Sequence, residues 1–137
     1  MSRLLLVADA PWVRNEVHAA LTGPDDEIVE LTDPRVAATM AYDEAVDAVI
    51  ADLQVGSMGG MAVARAVRDA AALSDERRLP VVMLLDRAAD GFLARRAGAD
   101  AWLTKPLTSA QLRTALDRAL AVDRADLGLV VADDTRG

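Results

Sequence analysis

Short apolar runs alternate along this chain with segments in which the apolar residues recur at helical spacing. The runs occupy residues 4–7, 48–51, 81–85 and 101–104, and a mixed run of similar length occupies 27–31. Uninterrupted apolar runs of about four to eight residues are typical of strands buried on both faces of a parallel sheet. We therefore predict a strand at each of these five positions.

The spacing of apolar residues between the runs predicts five helices. Pro11 suits the first turn of one helix, and Val13, Val17 and Ala20 then recur on one face before Gly23-Pro24 ends it. The second helix is predicted to start at Asp33, which is a suitable cap, and the third after the glycine-rich loop 55–60. The fourth is predicted to start at Ala88. The fifth is predicted to start at Thr108, the first residue of the capping-box pattern Thr108-Ser109-Ala110-Gln111.

Strands that alternate with helices predict an α/β fold, with right-handed crossovers between parallel strands and helices on both faces. Five strands in 137 residues suit a doubly wound, flavodoxin-like, three-layer arrangement with strand order 2-1-3-4-5. We predict one domain over residues 1–122 and a short tail over 123–137. The carboxyl ends of strands 1, 3 and 5 would then bring Asp9, Asp52 and Lys105 together.

Composition narrows the classes of function. The formal net charge of −7, from 22 acidic and 15 basic residues, disfavours nucleic acid as the direct partner. The absence of cysteine excludes disulfides and thiolate metal sites. The chain shows no signal-peptide pattern and no apolar run near the roughly 18 residues of a membrane helix. We expect a cytoplasmic protein without membrane contact.

The candidate site combines two carboxylates with the only lysine of the chain, Lys105. Two neighbouring carboxylates repel each other, and a hard divalent cation such as Mg²⁺ relieves that repulsion. An ammonium beside Asp52 would pair with it and would contact a phosphoryl oxygen when one is present. The alternative interpretation is that Asp52 only caps a turn and that the single lysine reflects a bias toward arginine.

At these residues the chain resembles the response-regulator receiver family, over roughly residues 3–122. The matching residues are Asp9, Asp52, Met58, Gly60, Pro80, Gly98-Ala99-Asp100 and Lys105-Pro106. The resemblance implies that Asp52 accepts a phosphoryl group from a histidine kinase and that Lys105 contacts it. It also implies Mg²⁺ bound by Asp9, Asp52 and the backbone carbonyl of Gln54, and a cis Lys105-Pro106 peptide.

The chain departs from the pattern of that family at four positions. Ala8 replaces the first of two adjacent acids, and Leu85 replaces a Thr or Ser that would donate to the phosphoryl group. Gly56 replaces a loop proline, and the switch aromatic is Trp102. Losing a carboxylate about 5 Å from Mg²⁺ removes roughly 2–6 kcal/mol of attraction, part of which returns through reduced repulsion. Losing the hydroxyl removes about 1.5–3 kcal/mol.

These departures predict weak Mg²⁺ binding and a switch in which Leu85 and Trp102 pack together. The leading hypothesis is an atypical, stand-alone receiver in two-component phosphorelay signalling that docks to a partner protein with impaired or absent phosphorylation switching. The alternative is a working phosphoryl acceptor at Asp52 with weakened Mg²⁺ binding. Neither makes the protein an enzyme, beyond self-phosphorylation and autodephosphorylation at Asp52.

The expected partner is a histidine kinase, a downstream effector or both. By the resemblance, the docking face comprises helix 4, strand 5 and helix 5, with Arg95, Arg96, Trp102, Arg113 and Arg118. The same arginines also suit an ordinary solvated surface. We expect a monomer or a weak homodimer through the apolar stripe of the last helix, no output domain after residue 123, and no flavin or nucleotide cofactor.

Overall fold

The structure of the chain is a computed structural model that describes residues 2–21, 26–55, 59–74 and 77–126. Gly56 and Met58, on which part of the family resemblance rests, lie outside the described residues, as do Gly23-Pro24. Most of the predicted tail also lies outside them. The last helix continues to Asp126, four residues beyond the predicted end of the domain at 122.

The described strands form one parallel sheet in the order β2-β1-β3-β4-β5, which confirms the predicted topology. In every pair the strands run parallel, and Leu6 lies opposite Ile50, which lies opposite Val82. The strands are β1 (Ser2–Val7), β2 (Asp26–Leu31), β3 (Ala48–Asp52), β4 (Val81–Leu85) and β5 (Ala101–Thr104). The central strand β3 is buried along its whole length, as its continuous apolar run predicted.

Helices cover both faces of this sheet. They are α1 (Pro11–Ala20), α2 (Ala37–Asp43), α3 (Gly59–Ser74), α4 (Gly91–Arg96) and α5 (Ser109–Asp126). Short 3₁₀ turns, Pro34–Val36 and Ala88–Asp90, precede α2 and α4, so two of the predicted helices begin with a tighter turn. The predicted caps are present: Asp33 accepts from the Arg35 amide, and Thr108 from the Gln111 amide at 3.2 Å.

Alternate side chains of β3 divide the interior into two cores. Val49 and Ala51 pack with apolar residues of α2, α3 and α4 on one face of the sheet. Ala48 and Ile50 pack with those of α1 and α5 on the other face. Because the helices hold the sheet from both sides, the carboxyl ends of β3, β4 and β5 are fixed relative to one another.

An ion-pair network around Asp100 fastens the start of β4 and β5 to α3. The Asp100 carboxylate is almost fully buried, pairs with Arg68 at 2.5 Å and with Arg78, and accepts from the Val81 amide at 2.9 Å. Arg68 also donates to the carbonyls of Gly98 and Leu79. Burial lowers the pKa of the Arg68 guanidinium from its ordinary value, while the charge of Asp100 opposes that change.

Asp100→Ala should lower the free energy of unfolding by about 3 kcal/mol, because Arg68 and Arg78 lose their shared carboxylate while remaining half-buried. Urea denaturation followed by circular dichroism measures the difference. The control is Asp69→Ala on the exposed face of α3, which should change stability by no more than about 0.5 kcal/mol. Equal effects of the two substitutions would contradict a structural role for this network.

Candidate functional site

Asp52 ends β3 as a buried carboxylate held by one cation. Only 1% of the residue is exposed, and its Oδ1 lies 2.7 Å from the ammonium Nζ of Lys105. The amide of Gln54 also points at Oδ1, at 3.4 Å, and the amide of Val55 donates to the Asp52 carbonyl at 3.2 Å. A carboxylate in this position costs desolvation energy that its ion pair and hydrogen bonds must offset.

Lys105 follows β5 and reaches Asp52 across the end of β4. Its backbone amide donates to the Leu85 carbonyl at 2.8 Å, which fixes the end of β5 against the end of β4. Only 7% of the side chain is exposed. The predicted cis peptide between Lys105 and Pro106 is present. The central pair of the candidate site is therefore assembled as its sequence positions predicted.

Two residues that contact Lys105 did not enter the candidate site predicted from sequence. The carboxylate Oδ1 of Asp86 lies 3.1 Å from Nζ, and the ring of Trp12 lies over Nζ with its centroid at 5.1 Å. Asp86 directly follows β4, so the rule that selected Asp9 and Asp52, a carboxylate at the end of a strand, selects it as well. Trp12 carried no comparable signal, since it lies off the apolar stripe of α1.

Asp9 follows β1 at the same edge of the sheet, with an exposed side chain. Its backbone carbonyl accepts from Nη1 of Arg14 at 2.8 Å, and its neighbour Ala8 is fully buried in the core. The oxygen ligands assigned to Mg²⁺, namely Asp9, Asp52 and the Gln54 carbonyl, suit a hard cation. Within the described ranges, however, no three acidic, histidine or cysteine residues are grouped closely enough to hold a metal ion.

Gly60 lets the first turn of α3 lie directly against Asp52. A Cβ at this position would come within 2.5 Å of the Asp52 carbonyl oxygen and 2.9 Å of its carbonyl carbon. The Gly60 amide donates to the carbonyl of Leu53 at 3.0 Å, which ties the helix to the loop after β3. Glycine is therefore required here by close backbone approach, because the obstacle cannot rotate away.

The two predicted switch positions lie on the same face of the sheet in different surroundings. Leu85 is fully buried in the core beneath α4, opposite Thr104 in the strand register. Trp102 is 36% exposed. Its indole nitrogen lies 2.7 Å from the position that a Cβ on Gly91 would occupy. The indole therefore covers the start of α4. Direct packing of Leu85 on Trp102 stays a prediction.

The predicted docking residues fall into two groups. Arg95, Arg96 and Arg118 are exposed on α4 and α5. An open groove of about 430 Å³ lies between β5 and α5, lined by Trp102, Thr104, Gln111, Thr114 and Arg118, among others. Arg113 differs, because its guanidinium pairs with Asp26 at 2.5 Å. Asp26 begins β2, which forms the opposite edge of the sheet from β5.

No helix within the described residues has the length and apolar character needed to cross a membrane. A sequence profile described as the response regulator receiver domain matches residues 4–117. A search of curated proteins finds no match.

Many solved structures share the fold, among them three that are 25–27% identical to this chain. The chemotaxis protein CheY4 of Vibrio cholerae is 27% identical, with a TM-score of 0.73 over 87% of this chain and 98% of that one. The receiver domain of the sensor histidine kinase PA1611 from Pseudomonas aeruginosa, solved with magnesium coordinated in its active-site cleft, is 25% identical, with a TM-score of 0.73 over 88% and 98%. A LuxR-family two-component response regulator from Aurantimonas is 25% identical, with a TM-score of 0.75 over 89% and 86%.

Gly60→Ala should lower the free energy of unfolding by about 1–3 kcal/mol, because the added methyl group meets rigid backbone at Asp52. Helix propensity alone predicts the opposite sign, a gain of roughly 0.5–1 kcal/mol. Urea denaturation distinguishes the two. Gly91→Ala is the matched control and should cost less, since the atoms nearest to its methyl group belong to the side chain of Trp102 rather than to backbone. A stabilising Gly60→Ala would refute the close approach.

Proposed function

Since the chain belongs to the response-regulator receiver family, as its motifs predicted, we propose that it transmits signals by docking to a partner protein, with phosphorylation switching impaired or absent. The observation that carries this proposal is the burial of Leu85 at the end of β4, beside the Asp52–Lys105 pair. An apolar side chain there leaves the site without the hydroxyl that would contact a phosphoryl oxygen and move with it.

The acceptor chemistry itself requires few groups, and two of them are in place. In phosphoryl transfer from a phosphohistidine, a carboxylate oxygen of Asp52 would attack phosphorus while the N–P bond breaks and its electron pair leaves with the imidazole. Lys105, 2.7 Å from that carboxylate, would neutralise charge on the transferred group. This retained ion pair favours the second candidate function, a phosphoryl acceptor at Asp52 with weakened Mg²⁺ binding.

The metal site is the weaker half of that chemistry. Mg²⁺, when bound, would neutralise negative charge on the phosphoryl oxygens. Asp9, Asp52 and the Gln54 carbonyl would hold it. This set has one carboxylate fewer than the family pattern, because Ala8, which is buried among apolar residues, replaces an acid. We propose that this site binds Mg²⁺ weakly and that phosphorylation is correspondingly inefficient.

The coupling between a phosphoryl group on Asp52 and the switch residue Trp102 is also proposed to be impaired. A two-state switch responds to a ligand only through contacts that differ between its states. Leu85 offers no polar contact to a phosphoryl oxygen, so the state of Trp102 is set by packing against the start of α4 near Gly91. We propose that the orientation of Trp102 is the same whether or not Asp52 is modified.

The docking surface proposed for this chain is the groove between β5 and α5 together with the adjoining surface of α4. Trp102 and Arg118 line the groove, and Phe92, Arg95 and Arg96 on α4 are exposed. Exposed aromatic and arginine side chains are the residue types that most often dominate binding energy at protein interfaces. The proposed occupant is a histidine kinase or an effector with an acidic rim that matches these arginines.

Beryllofluoride, which mimics a phosphoryl group on aspartate, provides the test. The two indole N–H resonances, from Trp12 near Lys105 and Trp102 near α4, are followed by ¹H–¹⁵N NMR during titration with Mg²⁺ and beryllofluoride. We expect Trp102 to stay unchanged. A saturable shift of Trp12 alone would support a working acceptor that lacks the switch.

The control is Asp52→Asn, in which neither resonance should respond. A shift of Trp102 that saturates in the wild type and vanishes in Asp52→Asn would refute the proposed uncoupling, that is, the independence of the Trp102 orientation from modification of Asp52. No shift of either indole at millimolar Mg²⁺ would eliminate the second candidate function.

A further inference from the structure

The ammonium of Lys105 is already fully engaged by its own chain. It contacts two carboxylates, Asp52 at 2.7 Å and Asp86 at 3.1 Å, and the ring of Trp12 covers it with the centroid at 5.1 Å. A lysine ammonium has three N–H donors and no acceptor, so each carboxylate uses part of a small supply. Little of the side chain remains exposed for any additional anion.

The backbone places Asp86 where it must meet this lysine. β4 ends at Leu85, whose carbonyl accepts from the Lys105 amide at 2.8 Å, so residues 86 and 105 leave adjacent strand ends. The neighbouring cation, Arg87, pairs instead with Asp90 at 3.2 Å. Asp86 is partly solvated, with 38% of its side chain exposed, and it can therefore approach Lys105 without the full desolvation cost that Asp52 carries.

We propose that Asp86 is an internal competitor for Lys105, whose carboxylate takes the place of a phosphoryl oxygen and thereby lowers the affinity of the site for phosphoryl groups. This inference rests on the proposed function and names a cause of impaired phosphorylation that is separate from Ala8 and Leu85. It requires no movement of the fold, since both contacts of Lys105 are present in the same structure.

Charge explains the direction of the effect. Asp52 and Asp86 together carry two negative charges against the single positive charge of Lys105. A phosphoryl group on Asp52 would add further negative charge next to Asp86, while Lys105 would have to divide its donors between the two. Trp12 adds to this arrangement because its ring lies over the ammonium and restricts approach from that side.

The test compares beryllofluoride binding, measured by ¹⁹F NMR at saturating Mg²⁺, for the full-length wild type, Asp86→Asn and Asp86→Ala. Asp86→Asn removes the charge and keeps the shape, and Asp86→Ala removes both. Each variant should bind beryllofluoride roughly tenfold more tightly than the wild type. The matched control is Asp69→Asn on the exposed face of α3, which makes the same change in net charge away from Lys105 and should alter the affinity by less than about twofold.

Mg²⁺ binding in the absence of beryllofluoride is measured on the same proteins. Removing a carboxylate cannot strengthen cation binding through charge, so a tighter complex with the anion beside an unchanged or weaker one with Mg²⁺ shows that the gain does not come from better metal binding. Beryllofluoride affinity that is the same in the wild type and both Asp86 variants, or undetectable in all three, would overturn the inference.

The same samples separate this inference from the proposed function. If the Asp86 variants bind beryllofluoride tightly while the indole resonance of Trp102 stays unchanged, both the competition and the uncoupling hold. If Trp102 shifts in the Asp86 variants, Asp86 is confirmed as the competitor and the proposed uncoupling through Leu85 is wrong.

Discussion

The ion pair between Asp52 and Lys105 is the interaction on which the rest of the site depends. A carboxylate that is 1% exposed at the end of a central strand needs a cation within contact distance, and Lys105 supplies one at 2.7 Å. The pair spans three strand ends, since β4 lies between β3 and β5. It therefore requires the parallel sheet, and the sheet requires helices on both faces to bury continuous apolar strands.

What surrounds that pair determines which part of receiver chemistry remains. Ala8 and Leu85 are both fully buried in the core. They replace two polar residues expected in this family, an acid at position 8 and a Thr or Ser at position 85. Asp86 and Trp12 then engage the lysine from the solvent side. Under the proposed function, the site keeps the carboxylate and the ammonium of the acceptor chemistry and lacks the hydroxyl that would contact a phosphoryl oxygen. The docking proposed for the surface of β5, α4 and α5 would not require the missing groups.

Much of this structure was predictable from short-range patterns. The apolar runs gave β4 and β5 with their observed bounds, and the carboxylate and lysine after strands 3 and 5 identified the central pair. The contacts of Asp86 and Trp12 with Lys105 were not predicted, because they depend on side-chain directions at neighbouring strand and helix ends. Likewise, Arg113 was assigned to a docking face by its position in α5, whereas its pairing with Asp26 depends on contact across 87 residues of sequence.

The most direct test of the account is a comparison of partner capture by the wild type, Asp52→Asn and Trp102→Ala from the native host. Quantitative mass spectrometry identifies proteins whose capture is lost with Trp102→Ala, and these define the docking partner. We predict that Asp52→Asn captures the same partner in the same amount as the wild type, since docking does not depend on a phosphoryl group. Loss of that partner from Asp52→Asn, to the level of Trp102→Ala, would contradict phosphate-independent signalling.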